Sequence, residues 1–381
     1  MTRFSVLVSG MAALLVLTMV TSVYASELPD HAGEAVMSQD VRAARQDRLA
    51  GADRYGTAIT VTQLLHRDHT VDVVYIASGD NYPDAISVTS LMALSNTTNR
   101  QAAVLLSPKA GLTPEVLAEV RRLLKPEGTI RLVGGEEALS TNVEYQLSTL
   151  VPEGKPRRLA GPTRVETALV IADEVRVLTT VSEVIITPAQ NYGIGMVSSA
   201  LAGKRNAVHL VAPETRDGGL HPAVAEWIAR TKPKKVTILG PEPFLTSFTY
   251  STLERITDQD ELNLTSFPCK PGYGTCNPPE THAATDAQVI AEKVVNQHFQ
   301  GVEDYVMVSY AGAADGLAAG QFAVSKLAPI LPIKNGAPGD DRYGYLIKQT
   351  SGRPLITLWA IGGERVINQR GIEQVAKAFE S

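Results

Sequence analysis

Cysteine is nearly absent from the 381 residues: only Cys269 and Cys276 occur, in a stretch that also holds Pro268, Pro271, Gly272 and Gly274. No histidine stands beside them, which weighs against a metal or redox pair. In an exported chain, two neighbouring cysteines predict a disulfide that clips a short loop. Neither lies near residue 25, so a lipoprotein signal is missing. Long apolar runs are missing too, except at the start. Arg3 is the only charge before Glu27, Phe4 to Val20 is mostly apolar, and Val23-Tyr24-Ala25 is a small-x-small cleavage pattern. These features predict a secretory signal peptide over 1–25, cut after Ala25. The competing membrane anchor has a run at the short limit for a span. After cleavage no membrane span is expected.

An excess of positive charge is also lacking. The formal net charge is −5, which argues against a general nucleic-acid binder. No GxGxxG dinucleotide fingerprint and no GxSxG nucleophile elbow occur. Gly51, Gly56 and Thr57 echo part of a P-loop but lack the lysine that reaches phosphates. No cofactor and no metal are expected. The C-terminal GIEQVAKAFES shows no sorting signal, so any retention at a cell surface is expected to be non-covalent.

What is present is repetition. Hydrophobic residues make up 44% and charged residues 20%, the balance of a folded globular chain. RLAGADRYGT at 48–57 returns as RLAGPTRVET at 158–167. The strand-and-helix block from Val73 returns from Glu183 and from Asp304, and AAVLLSP from Ala102 returns as AVHLVAP from Ala207 and APILPIK from Ala328. LVGGEEALS from Leu132, ILGPEPFLT from Ile238 and AIGGERVIN from Ala360 close the three copies. A fixed order of matching blocks is the mark of tandem units. The units are read as 45–154, 155–257 and 281–381, with a flexible lead at 26–44 and a Cys-clipped spacer at 258–280. Within each, β-branched runs such as Val71–Ala77 alternate with amphipathic stretches. That alternation predicts parallel strands buried on both faces and covered by helices. Thr113-Pro114-Glu115 reads as a helix start, with Thr113 as the cap.

The blocks RLAGADRYGTA, ASGDNYPDAIS, AVLLS and LVGGEEALS resemble the cell-wall-binding repeat type 2 family. The resemblance is good over 45–257 and weaker over 281–381. It implies three Rossmann-like or Toprim-like α/β units around a pseudo-threefold axis. It also implies an exported, wall-associated, non-enzymatic protein of Gram-positive envelopes. Such a protein holds an anionic wall polymer, teichoic-acid-like or polysaccharide, without a covalent bond. No protein partner and no oligomeric state is implied.

The candidate ligand-binding residues follow from position in the units. Arg54 and Arg164 open the R-x-x-T blocks, where an arginine either pairs with a carboxylate or takes an anion of the polymer. In the third unit Ala283 and Asp286 replace the arginine and the threonine. Asp84 and Asp315 follow buried strands, where α/β folds place ligand sites. The second unit has no carboxylate there. Leu105, Leu106, Leu210 and Leu331 lie in the block that the family associates with polymer binding, and their ordinary reading is a buried strand. Lys109, Arg216 and Lys334 supply one cation per unit just beyond it. The middle unit is the basic one of the three, so electrostatic attraction to an anion is expected to centre there. Two other classes compete, an enzyme and a soluble carrier or periplasmic-type ligand binder, the latter needing one large cleft that three similar units do not suggest. Asp80 and Asp84 could serve a Mg-dependent, phosphoesterase-like enzyme, although Asp80 finds Gln190 and Ala311 at its repeats. His66, Asp68 and His69 could suggest a metal site, but they lie at a helix end among solvated charges.

Overall fold

Each run of β-branched and aliphatic residues becomes a parallel strand because helices cover both of its faces. The computed structural model describes residues 42–381 except 81, 99, 152–155, 190, 213–219, 241–252, 254–262, 267–281, 311–312 and 336–338. The first unit begins with β1 (Ala43–Leu49) and α1 (Arg54–Leu65). It continues with β2 (Val71–Ser78), α2 (Tyr82–Thr97), β3 (Ala102–Ser107), α3 (Pro114–Leu123), β4 (Leu124–Val133) and α4 (Thr141–Ser148). The second runs β5 (Arg157–Leu159), α5 (Arg164–Leu178), β6 (Glu183–Pro188), α6 (Tyr192–Arg205), β7 (Val208–Ala212), α7 (Pro222–Thr231), β8 (Lys235–Ile238). After β9 (Asn263–Ser266), the third runs α8 (His282–His298), β10 (Asp304–Ser309), α9 (Ala313–Lys326), β11 (Ile330–Ile333), α10 (Arg342–Thr350), β12 (Leu355–Ile361), α11 (Gln369–Glu380). Every residue of β3, β6, β7 and β11 is buried, as the continuous apolar runs require.

Local signals fix the helix starts. Thr113 accepts from Val116 N at the head of α3, ahead of Pro114 in the first turn. Asp53 caps α1 by accepting from Gly56 N at 2.8 Å. Ser140 stands at the head of α4 without a side-chain cap bond. Strand β4 begins at Leu124, with a register irregularity opposite Val71 and Val73.

Among the described residues three four-stranded parallel sheets result, in the orders β3-β2-β4-β5, β7-β6-β8-β9 and β11-β10-β12-β1. They share one topology but are offset from the sequence units by one strand. The RLA strand β5 completes the first sheet, pairing Arg158 with Leu132 and Leu159 with Val133. Strand β1 completes the third, running from Ala43 opposite Leu355 to Leu49 opposite Ile361. The boundaries at 154/155 and 44/45 therefore divide segments that pack together, and the lead 26–44 ends inside β1. The stretch 258–280 likewise contributes β9 to the second sheet, so it is not wholly a spacer. An edge strand gains ladder bonds and cover by joining a neighbour's sheet, which is the physical gain from this offset.

The helices follow the same cycle. The central helices α2, α6 and α9 pack against one another, while α1 packs on α9, α5 on α2 and α8 on α6. Each unit's first strand and first helix thus reach back to the unit before it, and the first unit reaches to the third. This matches the threefold arrangement that the resemblance implies. Asp40–Ser381 forms one compact unit. No helix among the described residues is long and apolar enough to cross a membrane. The signal segment 1–25 and the pair Cys269 and Cys276 lie outside the described residues.

Candidate functional site

The junctions between units bring the R-x-x-T blocks and the buried carboxylates together. Arg54 heads α1 and donates from Nη1 to Gly79 O at 2.5 Å and to Asp80 Oδ1 at 3.2 Å. The Tyr55 hydroxyl donates to the same Asp80 oxygen at 3.3 Å. Burial, then the Asp80 charge, pushes the Tyr55 phenol up to about 12, so it remains a donor. The threonine of each block is structural: Gly51 N donates to Thr57 Oγ1 at 3.1 Å and Gly161 N to Thr167 Oγ1 at 3.0 Å. Both threonines are buried. The strand end and the helix start are thereby tied in the same way in the first two units.

Asp84 lies in the first turn of α2 with 5% exposure, and its Oδ1 has no hydrogen-bond partner. It packs against the turn after β4, where Gly134 has φ +110° and a Cβ would lie 2.8 Å from Asp84 Oδ2. Burial raises the carboxyl to about 6, opposed by the charge of Arg164 from the second unit. Asp315 repeats this arrangement at the junction of the third and first units. It is 8% exposed, its Oδ1 is unpartnered, and it packs on Gly362, whose φ is +128°. Its pKa is also raised by burial, opposed by the Thr57 hydroxyl and by Arg54.

The expected arginine–carboxylate pairing is thus across units, and no ion pair closes within it. Arg54 pairs instead with Asp80 of its own unit. Arg164 is exposed at the head of α5.

The remaining expected positions divide. Leu105, Leu106, Leu210 and Leu331 are at most 1% exposed; these side chains pack the core and leave a ligand only the strand ends. Lys109 sits on the surface and pairs with Glu137 at 2.7 Å. Lys334 is half-buried, its backbone N–H donating to Asp340 Oδ1 at 2.8 Å. Arg216 lies outside the described residues. In the basic middle unit, Arg205 and Lys235 both face Glu183, at 3.0 and 3.9 Å. Lys204 Nζ stands 4.6 Å from the Phe299 ring centre. Much of that positive charge is therefore already engaged.

Asp80 and Asp84 do not act together: one is held at the surface by Arg54 and Tyr55, the other is buried against Gly134. His66 Nδ1 meets His69 Nε2 at 3.0 Å, and among the described residues no group of three or more metal-ligating side chains assembles.

The sequence reading passed over Arg48 and Arg158. Arg48 Nη1 donates to Gly362 O at 2.7 Å and Arg158 Nη1 to Gly134 O at 2.9 Å. Each fixes the glycine turn on which a buried carboxylate rests. Their signal was the repeat itself, which carries arginine at the same place in both RLAG blocks.

The fold is similar to two solved structures from Clostridium difficile. Cwp6 superposes with a TM-score of 0.72 at 18% identity, covering 88% of this chain and 48% of that one. Cwp8 does so with 0.71 at 21% identity, covering 88% and 51%. The chain therefore spans about half the length of each, and the likeness is one of fold. No curated protein sequence matches the chain. Residues 48–144, from the arginine of the first RLAG block through the first half of α4, match the family model of cell wall binding domain 2 (CWB2).

Proposed function

We propose that this protein is exported and held at the cell wall by its three units, which bind an anionic secondary wall polymer without catalysing a reaction. The observation that carries this reading is the CWB2 match over 48–144. The recurrence of one sheet topology in three copies supports it, because several modest contacts on one polymer add through effective concentration. The recurrent surface features lie at the junctions, where Arg54 and Arg164 stand at the heads of α1 and α5.

The test is a pulldown of the mature protein on purified Gram-positive walls, before and after the anionic polymers are stripped. Retention that disappears on stripping and weakens with salt supports the proposal. Equal binding to bare peptidoglycan overturns the choice of ligand, and no retention on either overturns the function.

A further inference from the structure

The three junctions are not equivalent, and their differences fall on the same set of positions. At the junction of the first and second units, Asp84 is 5% exposed, its Oδ1 is unpartnered, and the exposed Arg164 faces it without closing an ion pair. At the junction of the third and first units, Asp315 is 8% exposed with its Oδ1 unpartnered, and Arg54, half-buried and held by Gly79 O and Asp80, is the arginine whose charge reaches it. Beside each carboxylate the glycine turn continues into a second glycine. A Cβ on Gly135 or Gly363 would meet nothing within 4 Å, so both turns are open on that side.

The sequence at the junction of the second and third units lacks the carboxylate, the arginine and the second glycine of this pattern. Tyr82 and Tyr192 open the two corresponding helices, which places Ile194 at the position of Asp84, and Ile194 is wholly buried. Ala283 stands in place of the arginine, and Pro241 follows Gly240 where Gly135 follows Gly134. Loss of one charge would leave its partner facing nothing. Joint loss removes both charges together.

A buried carboxylate oxygen with no donor is costly to maintain, and it invites a ligand that brings one. The exposed Arg164 guanidinium invites an anion, and the part-exposed Arg54–Asp80 pair is weak enough for an anion to compete with it. Both groups at one opening fit a unit that carries an anionic group beside a hydroxyl, as in a phosphate-linked polyol or a uronate sugar.

We propose that the chain holds two such ligand subsites and not three: Asp84 with Arg164, and Asp315 with Arg54. In each, the ligand hydroxyl donates to the buried carboxylate and its anion meets the arginine. This rests on the wall-polymer reading and fixes its stoichiometry and ligand chemistry.

The test is calorimetric titration of the full mature chain with glycerol-phosphate oligomers and, separately, with galacturonate oligomers. A phosphate source and a carboxylate source are thereby distinguished. Two equivalents of one oligomer are expected. Arg164→Gln removes one of them and leaves the other unchanged. Because Arg164 makes no ion pair among the described residues, this variant should melt as the wild type does. Asp84→Asn gives a second variant at the same subsite. Arg54→Gln combined with Arg164→Gln removes both equivalents and lowers retention on walls about tenfold or more, the loss expected for charge-assisted hydrogen bonds. Three equivalents, one equivalent, no binding of either oligomer, or a double variant that titrates like the wild type would each overturn the proposal. Wild-type retention on walls that the double variant keeps would also overturn it while leaving wall binding intact. Failure of the wild type to bind walls at all would instead strike the underlying function.

Discussion

Arg158 Nη1 donates to the carbonyl of Gly134 at 2.9 Å, and so the second unit holds the shape of a turn that belongs to the first. The same nitrogen donates to Leu139 O at 3.0 Å, and Nη2 pairs with Glu144 at 3.1 Å. Arg48 makes the equivalent bond to Gly362 O at 2.7 Å. Gly134 occupies a left-handed conformation in which the Asp84 carboxylate closes against it, so the turn cannot relax without moving the junction. Arg158→Ala is expected to destabilise the fold by about 2–3 kcal/mol, because charge-assisted bonds are lost and two carbonyls are left exposed to imperfect solvation. Urea denaturation checks it, and a loss below about 0.5 kcal/mol would contradict this role.

Closure of the architecture depends on β1. Its seven residues pair in parallel with β12, and Ala44 N donates to Glu380 Oε1 at 3.0 Å. A chain beginning at Gly51 would leave the edge of β12 unpaired and the third sheet with three strands. An open edge of this kind pairs with other chains. The truncated protein is expected to unfold at lower urea concentration and to self-associate, read by light scattering after size exclusion. A monodisperse monomer of unchanged stability would show that β1 does not close the structure.

Much of this was legible from the residues. The nearly continuous apolar run at Val71–Ala77 and the continuous one at Ala102–Leu106 identify parallel strands, and Thr113-Pro114 identifies a helix start, because those signals are local. The sheet to which β1, β5 and β9 belong is not a local property. It is decided by which edge is free to pair with: a repeat boundary drawn from self-similarity places β1 and β5 one sheet too far along and leaves β9 in a spacer outside any sheet. The candidate site follows the same division. Arg54, Arg164, Asp84 and Asp315 are readable as residues of interest from their places in the repeat. That the charge of Arg164 reaches Asp84 and that of Arg54 reaches Asp315, carboxylates of the preceding unit in the cycle, depends on the packing of α1 on α9 and α5 on α2. The leucines show the converse: periodicity marks them as strand core, and their burial follows that marking rather than the family's association with binding.

A second interlock between units concerns the open edge of β3. The Gln321 amide on α9 donates from Nε2 to Val104 O at 2.8 Å and accepts from Val104 N at 3.0 Å, all of it buried. Ser90 on α2 accepts from His209 N of β7 at 3.4 Å, a weaker form of the same interlock. The side chain thus satisfies two peptide groups that lie at a sheet edge and away from water. Gln321→Leu removes both bonds at nearly constant volume and leaves a buried donor and acceptor unmade. A destabilisation of about 2–4 kcal/mol is expected, with a smaller effect from Ser90→Ala. If the two variants were equally mild in denaturant unfolding, edge capping by Gln321 would carry no weight.

The carboxylate at Asp84 ties stability and binding together with opposite signs. Burial raises its pKa from 3.8 to about 6, so the folded state binds a proton that the unfolded chain has already released between those values. Stability from this group is therefore fully present below about pH 3.8 and is lost as the pH rises towards about 6. Above that, the folded protein keeps a buried charge at a cost of about 1–3 kcal/mol, taking roughly 1.4 kcal/mol per pKa unit as the upper scale. His209 works in the other direction. It is 1% exposed and lies within hydrogen-bonding distance of Thr187 Oγ1 at 2.9 Å and Ser198 Oγ at 3.1 Å, and burial lowers its pKa from 6.5 to about 3. Its contribution is present above about pH 6.5 and fades as the pH falls towards 3. The Asp84 part is isolated by comparison with Asp84→Asn. That variant is expected to be more stable than the wild type at pH 7, with the difference vanishing near pH 4. The same variant is expected to bind wall polymer less tightly at pH 7. Urea titrations at several pH values, run beside a wall pulldown, read both quantities. A variant that is less stable at pH 7 would mean that the ionised carboxylate is satisfied in the fold, and the cost assigned to it would be wrong.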